Sequence, residues 1–236
     1  MNTMNLTPLY GWMLRHDVFA YRGGTKVFNA LTAISPWAEV DGVSLDLRAM
    51  NWQVAQLVAG RAVEHEPEVH EVIRERVRRD HVVLDIGANL GLHTLALSRV
   101  ARTVHAFEPN PLLLPALRRT VSRLPNVVLH EHALGDHDGN VSLISNEDHS
   151  TAHVTSGGTI PIRRLDDVVD GPVHFIKVDV EGHERAVFEG APRILREYKP
   201  AIVFEEIPGG EPAARRHLET LGYRCEQIDD RDWLAQ

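Results

Sequence analysis

Short apolar runs alternate with helical stretches over residues 81–236, and this alternation predicts a parallel β-sheet flanked by helices. Each apolar run is rich in β-branched or aromatic residues and closes on polar ones. Only DWLAQ (232–236) is left for a seventh strand, so we expect that strand to be short or missing. The six predicted strands are VVLDI (82–86), TVHAFE (103–108), NVVLHEHAL (126–134), VHFIKVD (173–179), PAIVFEE (200–206) and YRCEQID (223–229).

Two further segments interrupt this alternation after the third predicted strand. GNVSLIS (139–145) and GTIPIRRL (158–165) stand where a crossover helix is expected, and their patterns predict an inserted antiparallel pair. The predicted fold class is therefore α/β, with a mostly parallel sheet and this inserted pair.

The N-terminal third of the chain predicts an extension to the sheet. AEVDGVSLDL (38–47) is typical of a hairpin around its Asp-Gly pair, and residues 51–79 predict helix with a fresh start at Pro67. The leading segment is dense in aromatic side chains, which indicates packing on the main domain or on a partner such as a second copy in a homodimer. We divide the chain into an N-terminal cap of helices and hairpin, 1–75, and a main domain, 76–236.

Composition narrows the classes of function. A net charge of −8 argues against a broad nucleic-acid surface, and Cys225 as the single cysteine excludes an intrachain disulfide or a thiolate zinc cluster. No apolar run approaches the roughly 18–20 residues that a membrane span needs. The N-terminus lacks the basic and apolar regions of a signal peptide, so we expect a cytoplasmic protein.

Polar residues close the predicted strands. In open parallel sheets the ligand lies beyond the carboxyl ends of the strands, so these residues are expected to form one polar site. Any one of them alone is more simply a surface residue or a helix cap. They are Asp85, Glu108, His130, Glu131, His132, Asp179, Glu181, Glu205 and Glu206.

The loop DIGANLG (85–91) indicates which ligand this site holds. It lacks the second glycine of a dinucleotide fingerprint, and it lacks the Lys-Ser/Thr of a phosphate-binding P-loop. It offers Asp85 to an ammonium and a helix N-terminus to a carboxylate, while Glu108 is placed to accept the two hydroxyls of a ribose. An amino acid beside a nucleoside describes S-adenosylmethionine.

The sequence resembles the FkbM family of S-adenosylmethionine-dependent methyltransferases. The resemblance covers about residues 40–207 and rests on VVLDIGANLGLHTLAL (82–97), VHAFEPNP (104–111), HALGDHDG (132–139), RRLDDV (163–168) and FIKVDVEGHERAVFEGA (175–191). It implies a class I methyltransferase with a seven-stranded, Rossmann-like, doubly wound sheet. It also implies methylation of hydroxyls, often on sugars, polyketides or glycolipids in natural-product biosynthesis.

The resemblance also assigns roles to residues that contact the cofactor. Glu108 would hold the ribose, and the residues after the first strand would line the methionine moiety. The glycines alone could instead serve a tight turn from strand to helix. The methionine moiety is expected at Asp85, Gly87, Ala88, Asn89 and Gly91, and the adenine at His132, Ala133 and Leu134.

Methyl transfer to an alcohol requires that the hydroxyl lose its proton, so a general base is needed. The candidates are Asp179, Glu181 and His183 after the fourth strand, with His153 on the inserted segment. His183 has the most suitable reference pKa, although a histidine at a helix start is often only a cap. An internal ion pair with Asp179 is the expected role of Lys177.

Carboxylates at neighbouring strand ends also allow a metal. Asp179, Glu181 and Glu205 offer hard oxygen ligands to Mg²⁺, but the sequence favours a cofactor-binding and helix-capping role for them over a metal. A zinc site at His130 and His132 lacks an evident third ligand.

Three functions remain open on the sequence. The first is an O-methyltransferase for a hydroxyl of a small sugar or natural product. The second is an N-methyltransferase for an amino sugar, which needs less base catalysis because a neutral amine is already nucleophilic. The third is a non-catalytic binding module with the same fold.

Overall fold

A computed structural model describes residues 37–40, 43–46, 66–145 and 152–236, together with positions 9, 12, 26 and 30. The described strands are β1 (Trp37–Val40), β2 (Val43–Asp46), β3 (Val82–Ile86), β4 (Thr103–Phe107), β5 (Val127–His130), β6 (Ala133–Leu134), β7 (Gly139–Ser145), β8 (Ala152–Ser156), β9 (Ile160–Arg163), β10 (Phe175–Val178), β11 (Ala201–Glu205), β12 (Cys225–Gln227) and β13 (Asp232–Ala235). The described helices are α1 (Pro67–Arg76), α2 (Leu92–Ser98), α3 (Leu114–Val121), α4 (Leu165–Val168), α5 (Glu184–Glu189), α6 (Pro192–Glu197) and α7 (Ala213–Thr220).

The main sheet has seven strands in the described part of the chain, in the order β12-β13-β11-β10-β3-β4-β5. Five neighbours from β11 to β5 are parallel, and β13 is antiparallel to both β11 and β12. This arrangement confirms the predicted α/β class and its mostly parallel sheet. Because the chain order reverses between β3 and β10, a crevice opens at the carboxyl ends of these two strands.

The seventh strand is present and short, which agrees with the first of the two expected outcomes. β13 is four residues long and lies between β11 and β12. The Asp229 side chain closes the turn before it, since its Oδ1 accepts hydrogen bonds from the backbone N–H groups of Arg231 and Asp232, both at 2.7 Å. This tight turn leaves enough chain for the strand to pair on both sides.

The third predicted strand, 126–134, is divided between two sheets. β5 joins the main sheet, whereas β6 pairs in parallel with β9 in a separate four-stranded sheet of order β6-β9-β7-β8. The predicted antiparallel pairing of 139–145 with 158–165 is confirmed, but the sequence analysis missed β8. Its sequence, AHVTS, carries too few large apolar residues to predict a strand.

Helices cover both faces of the main sheet. On one face, α5, α6 and α7 bury residues such as Phe188, Leu195 and Leu218 against the strands. On the other, α1 begins at Pro67, as predicted, and buries Ile73 against the sheet. The helix predicted over 51–65 falls outside the described residues.

The N-terminal hairpin is confirmed as β1 and β2, which pair in the expected antiparallel register. It docks on α3, where the backbone N–H of Ser44 donates to Oγ1 of Thr120 at 3.0 Å. The guanidinium of Arg119 lies over the ring of Trp37, 5.1 Å from its centre. The division at residues 75 and 76 stays a prediction, and that point lies within α1. None of the described helices has the length and apolar character that crossing a membrane requires.

Candidate active site

A cleft opens at the carboxyl ends of β3, β4 and β10, where a ligand of an open parallel sheet is expected. Many residues that the sequence analysis singled out meet here. The predicted residues that line it are Gly87, Asn89, Glu108, His132, Ala133, Leu134, Asp179, Glu181 and His183.

The loop after β3 is built so that backbone groups approach each other closely. Gly87 has φ 84°, and a Cβ at that position would lie 1.8 Å from the carbonyl oxygen of Asp179. Only glycine fits there, since both the conformation and the space exclude a side chain. The N–H groups of Gly87 and Ala88 donate to the carbonyl of Phe107 at 3.0 and 2.9 Å, which ties the loop to β4.

Gly91 and Ala88 support the loop from below and do not line the cleft. A Cβ on Gly91, at φ 89°, would lie 2.9 Å from Cδ1 of Leu117 on α3. Ala88 is buried against the same helix. These two residues therefore set the close packing of the loop on α3, which fixes where α2 begins.

Glu108 stands at the end of β4 with both carboxylate oxygens oriented by backbone. Its Oε2 accepts a hydrogen bond from the N–H of Asn89 and its Oε1 from the N–H of Asn110, both at 2.8 Å. The residue is 5% exposed, and burial raises its pKa to about 7 in spite of these two bonds. Each oxygen keeps a lone pair that can accept a bond from a ligand hydroxyl.

Asp85 lies beneath the loop and does not line the cleft. It is fully buried beside Lys177 of the neighbouring strand, and Oδ2 accepts a hydrogen bond from the hydroxyl of Thr94. Burial raises the pKa of Asp85, while the Lys177 ammonium opposes that rise. Nζ of Lys177 also donates to Oδ2 of Asp179 at 3.0 Å, which is the predicted ion pair.

The inserted sheet supplies an apolar wall that the sequence analysis missed. Leu143 of β7 and Val154 of β8 line the cleft together with Ala133 and Leu134 of β6. The polar sequence of β8 gives no sign that Val154 lines a cleft. The alternation of apolar and polar residues in β7 could have predicted that Leu143 lies on an apolar face. The ring of His132 lies edge-on to Phe107, with centres 5.7 Å apart.

The loop from Asp179 to His183 holds the remaining acids. Glu181 has φ 54° and Gly182 has φ 93°, so two consecutive residues adopt left-handed backbone. The buried carboxylate of Glu184 stabilises this turn, because its Oε1 accepts hydrogen bonds from the N–H groups of Val180 and Gly182 at 3.1 and 3.2 Å. The sequence analysis missed this role of Glu184, although an acid in the first turn of α5 is its ordinary signal.

The two candidate histidines lie in different elements, His183 at the start of α5 and His153 in β8. His183 lines the cleft, and its Nε2 is buried without a hydrogen-bond partner among the described residues. Burial lowers the pKa of His183, so the ring is neutral at pH 7. His153 lies in β8 opposite Ile144, and only its backbone is described.

One group in the described part of the chain has the arrangement of a metal site. One oxygen from each of Asp179, Glu181 and Glu205 lies within 4.8 Å of the other two. His130 is instead bonded through Nε2 to Nδ1 of His105 at 2.9 Å, and His132 through Nδ1 to the carbonyl of Ala133. Each of these histidines therefore uses one ring nitrogen in a hydrogen bond to the protein.

Comparison with known proteins finds methyltransferases among the similar sequences and structures. A hexuronic acid methyltransferase of Haloferax volcanii is 31% identical over 182 residues, which is 73% of this chain and 74% of the relative. The crystal structure of methyltransferase FkbM from Methylobacillus flagellatus matches with a TM-score of 0.50 at 16% identity. The match covers 78% of this chain and 53% of that one, so the chain spans about half the length of that structure.

An rRNA methylase from Streptococcus thermophilus matches with a TM-score of 0.47 at 16% identity, over 73% of this chain and 95% of the other. Residues 85–225 match the methyltransferase FkbM domain, a stretch that runs from the glycine loop through α7 to the start of β12. The chain therefore belongs to the FkbM methyltransferase family.

Proposed function

We propose that the chain is an S-adenosylmethionine-dependent O-methyltransferase that acts on a hydroxyl of a sugar or a sugar-bearing natural product. The observation that carries the proposal is the position of Glu108, a buried carboxylate at a strand end with each oxygen fixed by a backbone N–H. When bound, the cofactor supplies a methyl group on a sulfonium, which is already a strong electrophile.

The cleft suits the three parts of this cofactor. Glu108 accepts the ribose hydroxyls, since its two oxygens are held side by side. The apolar wall of Leu134, Leu143 and Val154 packs on the adenine. Gly87 and Asn89 border the methionine part, where a side chain larger than hydrogen at position 87 would collide with the carbonyl of Asp179.

Asp85 acts indirectly in this proposal. It lies under the loop and attracts the ammonium of Lys177, which in turn holds Asp179 at the edge of the cleft. Asp179, not Asp85, is therefore the acid that reaches the cofactor cleft. Asp85 is a positioning residue.

The protein must orient the acceptor hydroxyl and receive its proton as the oxygen–carbon bond forms and the carbon–sulfur bond breaks. His183 is the base that the geometry favours, because it lines the cleft and its lowered pKa keeps a ring nitrogen unprotonated at pH 7. Glu181 is the nearest alternative base on the same loop.

The acceptor class rests on the relative that methylates hexuronic acid and shares 31% identity over most of this chain. The acidic surroundings bear on the runner-up function. With no cation bound, Asp179, Glu181 and Glu205 would hold the amine of an amino sugar protonated and without nucleophilic character, and a cation bound there would repel that amine. We therefore favour a hydroxyl over an amine.

The experiment is an acceptor panel with the full chain and S-adenosylmethionine. Neutral glycosides, hexuronic acid glycosides and amino sugars are incubated, and the position of the new methyl group is read by NMR. A methyl ether supports the proposal. An alkali-labile methyl ester or an N-methyl product contradicts it, and cofactor binding with no turnover on any acceptor indicates a binding module.

A further inference from the structure

Three carboxylates meet where β10 and β11 end, and their spacing is that of ligands around one ion. One oxygen from each of Asp179, Glu181 and Glu205 lies within 4.8 Å of the other two. Mg²⁺ and Ca²⁺ bind oxygens at about 2.1 and 2.4 Å, so opposite ligands of one ion stand about 4.2 to 4.8 Å apart. The spacing of the three groups is therefore compatible with a single ion.

Glu205 supplies an independent observation, because one of its carboxylate oxygens is buried without a partner. The residue is 8% exposed, and its Oε2 is buried without a hydrogen-bond partner among the described residues. Its other oxygen, Oε1, faces Nη2 of Arg231 at 2.5 Å. A buried carboxylate oxygen without a partner costs free energy, which a bound cation would recover.

Three carboxylates held this close repel one another unless a proton or a cation lies between them. Lys177 pairs with Asp179 and Arg231 pairs with Oε1 of Glu205, whereas Oε2 of Glu205 has no hydrogen-bond partner among the described residues.

The cluster stands between two clefts. Asp179 and Glu181 line the cofactor cleft, whereas Glu205 lines a second cleft on the side of α1. An acidic sugar cannot approach this second cleft favourably unless its negative potential is reduced. Its lining holds six carboxylates and one guanidinium, from Glu66, Glu68, Glu205, Asp229, Asp230, Asp232 and Arg231, together with Ile228.

We infer that Asp179, Glu181 and Glu205 bind one hard divalent cation at the boundary between the cofactor cleft and the acidic cleft. The remaining coordination positions of the ion face the acidic cleft and take oxygen atoms of the acceptor. This role toward the acceptor rests on the methyl transfer proposed above, whereas binding of the ion itself does not. This inference departs from the preference of the sequence analysis, because the structure adds the spacing of the three oxygens and the unpartnered oxygen of Glu205.

The test uses Mn²⁺ as a spectroscopic probe of the site. The full chain is titrated with Mn²⁺ and free ion is followed by electron paramagnetic resonance, with and without S-adenosylhomocysteine and with no acceptor. We expect one ion per chain, displaced by Mg²⁺ or Ca²⁺. Glu205→Gln removes one ligand charge and is expected to weaken binding by roughly tenfold or more.

Asp230→Asn is the matched control, since Asp230 is an exposed acid of the same cleft outside the cluster. Loss of its charge changes only the general field, so we expect an effect of about twofold or less. Equal weakening by both variants overturns the inference, because it would mean diffuse attraction. Absence of stoichiometric binding to the unaltered chain overturns it as well.

A second variant and a second readout separate misfolding from loss of the site. Glu205→Asp keeps the charge but shortens the side chain by one methylene. Its affinity for Mn²⁺ is therefore expected to lie between that of the unaltered chain and that of Glu205→Gln. Glu205 does not line the cofactor cleft, so its variants should bind S-adenosylhomocysteine normally. Normal Mn²⁺ binding without S-adenosylhomocysteine binding would reject the proposed function and leave the ion site intact.

Discussion

The ammonium of Lys177 donates a hydrogen bond to Oδ2 of Asp179 at 3.0 Å and lies beside the fully buried Asp85. Lys177 is itself 4% exposed. Burial alone would lower its pKa, but the carboxylates of Asp179 and Asp85 raise it well above its ordinary value. One lysine therefore balances two acids beneath the candidate site.

Lys177→Met keeps the volume of the side chain and leaves both acids without their cation. Removal of one partner from a buried ion pair costs about 3–5 kcal/mol, so we expect a loss of that order in the free energy of unfolding. Urea denaturation at pH 7 measures it. The double variant Lys177→Met/Asp85→Asn should recover part of the loss; strict additivity of the two changes would contradict the network.

Gly87→Ala and Gly171→Ala separate conformational strain from collision. Both glycines have nearly the same backbone, φ 84° and 82°, but a Cβ on Gly171 meets nothing within 4 Å. We expect Gly171→Ala to cost about 1 kcal/mol from strain alone. Gly87→Ala adds the collision with the carbonyl of Asp179 and should abolish S-adenosylhomocysteine binding, as calorimetry would show. Equal behaviour of the two variants would mean that the close approach at position 87 is unimportant.

The stability of the protein should fall as pH rises from 6.5 to 9. Burial, followed by the charges of Glu66 and Asp229, raises the pKa of Asp232 to about 8, and burial raises that of Glu108 to about 7. A carboxyl whose pKa is raised in the folded state stabilises the fold below its unfolded pKa, and this contribution is lost as pH rises through the folded pKa.

Asp232→Asn isolates this effect. Buried histidines with lowered pKa values, such as His130, act in the opposite direction, but only below about pH 6.5, where the unfolded chain takes up protons. The Tm of Asp232→Asn, relative to the Tm of the unaltered chain at the same pH, should therefore rise as the pH increases from 6.5 to 9. A difference independent of pH would show that Asp232 ionises normally.

His183→Gln tests the assignment of the general base. Loss of a general base typically lowers a rate by about 10²–10⁴-fold, so we expect a fall of that order in kcat with unchanged S-adenosylhomocysteine affinity. Because the pKa of His183 is lowered by burial, the activity of the unaltered chain should be level at and above pH 7 and decline only in acid. An unchanged kcat in His183→Gln would move the role to Glu181.

Much of the fold follows from apolar periodicity, because the parallel strands are buried on both faces and stand out as apolar runs. β3, β4, β10 and β11 coincide with their predicted runs to within two residues. The failures occur where polar strands pair outside the main sheet. Nothing local in 126–134 shows that β5 and β6 separate, since the division depends on the distant partner β9.

The site was predictable as a set of strand-end residues but not in its orientation. Glu108 and Asn89 lie where a strand-end ligand requires them. Asp85 ends its predicted strand equally clearly, yet its side chain is buried under the loop beside Lys177. Alternation sets the face on which each strand residue lies, but helices cover both faces of this sheet, so the apolar run alone does not show which acid reaches the cleft.

Titration of the full chain with S-adenosylhomocysteine by calorimetry, with Glu108→Gln beside it, tests the central claim most directly. A glutamine cannot accept hydrogen bonds through both side-chain atoms from the N–H groups of Asn89 and Asn110, so the variant loses the geometry that holds a ribose. We predict about micromolar binding by the unaltered chain and a loss of roughly 10–100-fold in Glu108→Gln. Glu131→Gln, an acid at the end of β5 outside the cleft, should bind as the unaltered chain does. A folded chain that does not bind S-adenosylhomocysteine, or a Glu108→Gln variant with unchanged affinity, would contradict the account.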